Sequence, residues 1–149
     1  MSVHRLNHVS LTVADIDASL AFWRDALGLA VLGRGVVEYD HLDRIIGVGH
    51  TRIEWAELAI PGGTILELFR YLEPEGHPIR PEPSDPGSTH ICLEVDGLDL
   101  LVGQLHKSGY TTRSPQPVEI PFGDWKGFRD IYVTDPDGAT VELTQAPRT

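Results

Sequence analysis

Hydrophobic and polar residues alternate along two similar stretches of the chain, one near the start of each half. The first stretch, residues 8–13, and the second, residues 90–95, each begin with a histidine and then place an apolar residue at every second position. Alternation with a period of two indicates a half-buried strand whose two faces differ in polarity. His8 and His90 are therefore each expected to begin a strand on its polar face.

Each of these strands is followed by a helix-like run and then by further strands. Asp15 offers a capping carboxylate before an apolar stripe over 17–27 that ends at Gly28, which predicts a short amphipathic helix. In the second half, apolar residues at helical spacing begin at Leu98 and end at Gly109. The further strands predicted from alternation and turn residues are 52–60, 64–71, 118–122, 129–134 and 139–145.

The two halves repeat one plan. The hairpin segments 61–68 and 136–143 have matching sequences, and the stretch 72–87 between the halves is a Pro-rich linker. The region 29–50 is less regular, and we interpret it as a strand plus a loop that covers a pocket. The sequence therefore predicts an internal repeat of roughly 60 residues with the order strand, helix, strands.

One histidine and one glutamate fall at matching places in each half. The two pairs are His8 with Glu67 and His90 with Glu142. Equivalent positions in two pseudo-symmetric halves converge on the axis that relates them, so two imidazoles and two carboxylates are expected to meet. Such a set suits a divalent first-row metal ion with open positions for water or substrate oxygens. Singly, each residue has a structural explanation, and the duplication is what favours a metal site.

Composition narrows the classes of partner. The length of 149 residues predicts one domain, and the formal net charge of −10 argues against nucleic acid and anionic membrane surfaces as partners. The single cysteine, Cys92, fits a reducing compartment. No apolar run resembles a signal peptide or reaches the length of a membrane span, so we expect a cytoplasmic protein that binds a small molecule.

The chain resembles the vicinal-oxygen-chelate superfamily, which includes glyoxalase I, methylmalonyl-CoA epimerase, extradiol dioxygenases and the bleomycin and fosfomycin resistance proteins. The similarity is strongest at residues 8–13 with the following helix, at 89–96 and at 135–143. The resemblance implies an α+β fold of two tandem βαβββ modules, residues 4–71 and 88–146, which form a cupped mixed β-sheet with the helices outside. It also implies a homodimer.

The resemblance assigns the four metal-ligand places to His8, Glu67, His90 and Glu142, and the ion to zinc, nickel, cobalt, manganese or iron. This set is similar to that of metal-dependent glyoxalases and epimerases, in which a metal-bound glutamate also moves a carbon-bound proton. By that match, Glu142 or Glu67 is the catalytic base. The implied function is a metal-dependent lyase or isomerase that abstracts a proton next to a metal-chelated oxygen of a small carbonyl substrate.

The sequence does not specify whether a thiol cofactor such as glutathione or CoA is part of such a substrate. Bacterial glyoxalase I grips glutathione with an arginine and an asparagine at places that Thr12 and Tyr71 occupy here. Methylmalonyl-CoA epimerases resemble the chain at residues 90–96 and 141–146 but differ at the turn 135–138. Neither glutathione nor a CoA thioester is therefore specified by these residues.

Two alternatives come from the same resemblance. An Fe(II) extradiol-type dioxygenase needs two histidines and one glutamate, and Tyr132 lies near the place of the acid–base tyrosine of those enzymes. A non-catalytic drug-binding protein of the resistance type is the second, although such proteins often lack the metal residues. Further candidates for the substrate pocket are His50, near the second acid–base position of epimerases, Trp125 for a flat ligand, and Arg129 for an anionic group.

Overall fold

The computed structural model describes residues 2–147, and the chain divides after Pro78 into two compact units. Each unit builds one four-stranded mixed sheet with the same strand order. The α+β class and the two tandem modules expected from the sequence are thereby confirmed. Among the described residues, no helix combines the length and the apolar character needed to cross a membrane.

In the first unit the sheet order is β1-β4-β3-β2, with β1 parallel to β4 and the other neighbours antiparallel. A tight turn joins the third strand to the fourth, a helix-containing segment joins the second strand to the third, and the parallel contact between the first and last strands requires a long connection. The elements are β1 (His8–Thr12), α1 (Ile16–Leu20), β2 (Ala30–Glu38), α2 (Asp40–Ile46), β3 (Arg52–Ile60) and β4 (Thr64–Glu73).

The second unit repeats that connectivity in the order β5-β8-β7-β6, again with a parallel pair formed by its first and last strands. Its elements are β5 (His90–Glu94), α3 (Leu98–Lys107), β6 (Val118–Glu119), β7 (Arg129–Thr134) and β8 (Thr140–Gln145). Strand β6 is shorter than the predicted 118–122, since the pairing with β7 continues only to the bonds of Ile120 with Phe128 and Gly127, and the next residue, Pro121, has no backbone amide hydrogen to donate.

The first helix follows its sequence signals and then changes type. The Asp15 carboxylate accepts a hydrogen bond of 2.9 Å from the Ala18 amide, which caps the helix at its N-terminus. The helix continues from α1 as a π-helical segment, Ala21–Ala26, and Gly28 ends it in the left-handed conformation at φ 79°. This turn buries Phe22 and Trp23 completely.

The region 29–50 is more regular than the sequence suggests. A single nine-residue strand, β2, and the helix α2 replace most of the expected loop. The indole of Trp55 lies across Gly33 and Gly35 of β2, where an added Cβ would come within 3.2 Å of the ring at either glycine. The aromatic ring therefore covers a face of β2 to which the two glycines contribute no side chain.

Alternation gives each sheet one apolar and one polar face. The residues that point to the helix side are almost completely buried and include Leu66, Leu68, Ile131, Val133 and Leu143. The opposite face carries His8, Glu67, His90 and Glu142, together with further polar residues. One face of each sheet therefore packs against the hydrophobic core, and the other face presents the polar side chains that could form a site.

Candidate metal centre

The first His–Glu pair lies on the adjacent parallel strands β1 and β4. The Nε2 atom of His8 is 3.5 Å from Oε2 of Glu67, and the two side chains are 48% and 17% exposed. In the strand register Glu67 is the partner of Ser10, so His8 lies two positions earlier along β1. Alternation then puts both side chains on the same face.

The second pair reproduces this arrangement on β5 and β8. The Nε2 atom of His90 is 3.1 Å from Oε2 of Glu142, and the exposed fractions are 46% and 18%. Glu142 is the register partner of Cys92, which is again two positions beyond the histidine. The two units therefore present the same donor atoms at the same register and nearly the same exposure.

The separation within each pair suits a shared metal ion. Ligands at about 2.1 Å from one ion, with an angle of about 90 to 110° between them, are roughly 3.0 to 3.4 Å apart. The 3.1 Å between His90 and Glu142 lies within that range, and the 3.5 Å between His8 and Glu67 lies just above it. Among residues 2–147, no three His, Cys, Asp or Glu side chains form one group that could hold an ion. Each unit by itself supplies two donors.

Cys92 and Tyr132 flank Glu142 on the neighbouring strands. Both are its register partners, on β5 and β7 respectively. Burial, and then the charge of Glu142, raise the pKa of the Cys92 thiol to about 12 and shift the pKa of the Tyr132 phenol upward. The Tyr132 ring also lies against His90, with 5.4 Å between the ring centroids. At neutral pH, Glu142 therefore has a neutral, proton-bearing group on each side.

The surroundings of Glu67 differ from those of Glu142. Its register partners are Ser10 on β1 and Glu57 on β3. Two carboxylates thus lie side by side on this face of the first unit, and like charges directly opposite each other repel. The next row along the same face contains Phe69 and the half-buried Trp55.

The Glyoxalase/Bleomycin resistance protein/Dioxygenase superfamily model matches residues 5–143. The chain belongs to this superfamily. The match includes both His–Glu pairs, and the family is the one that the sequence resembles.

Individual relatives and solved structures agree with that membership. The chain is 30% identical over 146 residues to a 2-epi-5-epi-valiolone epimerase of an Actinomyces species, covering 95% of this chain and 79% of the relative. It is likewise 30% identical over 145 residues to the human mitochondrial methylmalonyl-CoA epimerase, covering 95% and 74%. A glyoxalase family protein of Bacillus cereus has the same fold, with a TM-score of 0.87, 23% identity and coverage of 99% and 97%.

Tyr132 and Arg129 are among the residues that the sequence of this superfamily member suggests for the substrate pocket. Tyr132 lies beside a His–Glu pair, whereas Arg129 does not. Arg129 shares the apolar face of β7 with Ile131, opposite Tyr132, and both of its terminal nitrogens bond the Asp99 carboxylate at 2.6 and 2.7 Å. Hydrogen bonding to Asp99 raises the pKa of Arg129. Its charge is therefore already neutralised at the start of α3.

His50 and Trp125 lie in loops. His50 has a left-handed backbone, φ 55°, its amide donates to Asp43, and its Nε2 is 3.1 Å from Oε2 of Glu73. Hydrogen bonds from Thr51 and then from the His50 amide lower the pKa of Asp43, which anchors this turn. Trp125 is 61% exposed and packs edge-on against Phe128.

The sequence pattern does not single out Glu57 or Thr140, and it indicates only a reducing compartment for Cys92. These residues join the site through cross-strand register, since Glu57 is the partner of Glu67, Cys92 of Glu142 and Thr140 of His90. The only signal in the sequence was their alternation with buried residues. That pattern gives the face of a residue but not its neighbour.

Proposed function

We propose that the protein is a metal-dependent lyase or isomerase that removes a proton from the carbon beside an oxygen of a small carbonyl substrate. The observation that carries the proposal is the repeated His–Glu pair, with the same register in β1–β4 and in β5–β8. The epimerase names of two relatives support the same class of chemistry.

His8, Glu67, His90 and Glu142 are the proposed ligands of one divalent ion per chain. Imidazole and carboxylate donors suit zinc, nickel, cobalt, manganese or iron(II). When bound, such an ion supplies the Lewis acidity that makes a C–H bond beside a carbonyl group easier to deprotonate. The chain itself must then provide the proton acceptor and the groups that orient the substrate.

We assign the role of proton acceptor to Glu142 rather than to Glu67. Cys92 and Tyr132, the register partners of Glu142, carry a thiol and a phenol that are protonated at neutral pH, so neither competes with Glu142 as a base. Their protons can instead be donated to the carboxylate or to a substrate oxygen. Glu67 is the alternative base, but its register partner Glu57 is a second carboxylate and not a proton donor.

Metal content tests the ligand set directly. We expect His90→Ala and Glu142→Gln to lower the metal retained by the purified protein, measured by inductively coupled plasma mass spectrometry after dialysis against a limiting ion concentration. Glu94→Gln is the matched control, because Glu94 follows on the same strand and face but is not a proposed ligand. Metal content that is the same in all three variants would disprove the site.

Deuterium exchange tests the reaction. Candidate α-oxo acids, thioesters, hemithioacetals and hydroxyketones are incubated in D₂O with added Zn²⁺, Ni²⁺, Co²⁺ or Mn²⁺, and exchange at carbon is followed by NMR. We expect metal-dependent uptake at one carbon, and Glu142→Gln in excess metal to slow it by about 10²- to 10⁴-fold, the usual contribution of a general base. Glu67→Gln in excess metal should retain more activity. Equal losses in the two variants would contradict the assignment of the base.

The second candidate function is an Fe(II) extradiol-type dioxygenase. The position of Tyr132 beside His90 and Glu142 favours it, because a tyrosine there is available as an acid or base. Oxygen consumption with catechols under Fe²⁺, abolished by Tyr132→Phe, would support this function over proton transfer. Tight binding of a drug without any bound metal would instead indicate a resistance-type binding protein. We further propose a homodimer, which light scattering of the purified chain tests.

A further inference from the structure

A cavity of about 280 Å³ lies beside His90 and Tyr132, built by the second unit. It is small, since pockets for drug-sized ligands have about 300 to 1,000 Å³. Four of its six lining residues carry a hydroxyl group, namely Ser88, Thr89, Tyr132 and Thr140, and the other two are Pro83 and His90.

One wall of the cavity is a folded turn in the Pro-rich segment. The Ser88 amide donates to the Asp85 carbonyl at 3.0 Å, and the Ser88 hydroxyl donates to the Pro83 carbonyl at 3.1 Å. The Asp85 carboxylate accepts from the Glu82 amide at 2.8 Å. These bonds hold Ser88 in place, so the wall is formed before a ligand arrives.

The other wall is the polar face of the second sheet. Thr140 is the register partner of His90 on the adjacent strand and is only 8% exposed. Tyr132 lies on the next strand, and its ring centroid is 5.4 Å from that of His90. His90, the histidine that the second unit contributes to the proposed metal site, and the largely buried hydroxyl group of Thr140 thus lie side by side at this end of the sheet.

The chemistry of the lining selects for hydroxylated ligands. Serine, threonine and tyrosine hydroxyls both donate and accept hydrogen bonds, which matches the dual character of ligand hydroxyls. None of the six lining residues is a lysine or arginine, and Glu142 and Asp130 lie near Tyr132 on the same face. A phosphate or carboxylate would meet negative charge there, and an acyl chain would offer the lining hydroxyls neither a donor nor an acceptor.

We infer that the cavity holds the hydroxyl-bearing part of a small polyhydroxylated carbonyl substrate, such as a ketose or a cyclitol ketone. This inference rests on the proposed function, because it places the reacting carbonyl carbon beside the His90–Glu142 pair. It assigns to Thr140, Ser88 and Thr89 the recognition of substrate hydroxyls. It also means that a large anionic carrier such as CoA is not needed for binding.

Two probes of related structure test the inference. 2-Keto-myo-inositol and 2-hydroxycyclohexanone each carry a hydroxyl next to a ring carbonyl, but the second lacks the other hydroxyls. Their dissociation constants are measured by isothermal titration calorimetry on the full chain, with and without Mn²⁺. We expect the keto-inositol to bind about ten-fold or more tightly, since each added neutral hydrogen bond contributes a factor of about two to twelve. Equal affinities, or no measurable binding of the keto-inositol, would overturn the inference.

Matched variants locate the effect. Thr140→Val removes one lining hydroxyl and keeps the shape of the side chain, and we expect it to weaken keto-inositol binding about three- to ten-fold. Thr134→Val is the control, because Thr134 pairs with Thr140 on the next strand but does not line the cavity. An equal response of the two variants would contradict the assigned location.

Deuterium exchange in the same samples separates this inference from the proposed function. If the keto-inositol binds with the expected dependence on Thr140 but no metal supports exchange, the cavity assignment stands and the lyase or isomerase function fails. If exchange occurs with acyl thioesters while the two probes bind equally, the function stands and the cavity assignment fails.

Discussion

Replacing Gly35 by alanine tests how firmly the Trp55 indole is held on the sheet. Gly35 and Trp55 are register partners on β2 and β3. A Cβ atom at Gly35 would be 3.2 Å from Nε1 of Trp55 and 3.3 Å from Cε2 and Cζ2. Contacts this short require the indole to move, and Gly33 restricts it in the same way on the same strand.

Two opposing effects set the size of the change. Alanine is favoured over glycine in a strand interior by about 0.5 to 1 kcal/mol, because glycine loses more backbone entropy on folding. Overpacking costs about 1 to 3 kcal/mol when the surroundings cannot relax. Since a rigid two-ring side chain lies against the new methyl group, we expect overpacking to dominate and Gly35→Ala to lower the free energy of unfolding by roughly 0.5 to 2 kcal/mol.

Gly103→Ala is the matched control. Gly103 lies within α3, and nothing comes within 4 Å of an added Cβ, so alanine should stabilise the helix by about 1 kcal/mol. Urea unfolding followed by far-UV circular dichroism measures both variants. A second test repeats Gly35→Ala in the Trp55→Ala background, where the methyl group should become favourable. Stabilisation by Gly35→Ala alone, equal to that by Gly103→Ala, would refute a fixed indole.

Three further predictions concern the second unit. In chelator-treated protein, Cys92 should react with Ellman's reagent at pH 8 about a thousand-fold more slowly than a free cysteine, because a pKa of about 12 leaves little thiolate. Labelling as fast as that of a cysteine peptide would contradict this prediction. Burial raises the pKa of Asp135, so its contribution to stability is present below its ordinary pKa of 3.8 and is lost as the pH rises through the folded-state value. The melting temperature of Asp135→Asn minus that of wild type should therefore be larger at pH 7 than at pH 3.5. A difference that is the same at both pH values would contradict this prediction. Gln145→Leu removes the acceptor of the buried Leu98 amide, a bond of 2.7 Å, and should cost about 1 to 3 kcal/mol in urea unfolding, whereas Gln145→Glu should cost less.

The strands that sequence pattern predicts best are those with one buried face. Strands β3 and β7 occupy the predicted residues 52–60 and 129–134, because alternate buried side chains define their faces and turn residues define their ends. Strand β2 was harder to predict, since Gly33 and Gly35 leave two gaps in its pattern. Those gaps are filled by Trp55 from the next strand, and a residue about twenty positions away cannot be found from local alternation.

The residues of the candidate site also differ in how far the sequence alone identifies them. The repeat alone was enough to select His8, Glu67, His90 and Glu142, because matching positions are visible in the printed sequence. Their neighbours depend on which strands pair and in what register, and each unit pairs its first strand with its last. That long-range contact is what brings Cys92 and Tyr132 to either side of Glu142.

The cross-strand neighbours of Glu142 differ from those of Glu67, which argues that the two His–Glu pairs have different roles although their geometry is similar. The His–Glu geometry is common to both units, so it suits the task that a symmetric set performs, which is to hold an ion. Proton transfer needs an asymmetric environment, with one base and nearby donors that do not titrate at the working pH. Only the row of Glu142 has that composition, since Glu67 lies next to Glu57. Duplication therefore accounts for the proposed ligands, and the different strand neighbours of the two glutamates are the reason for proposing Glu142 as the base.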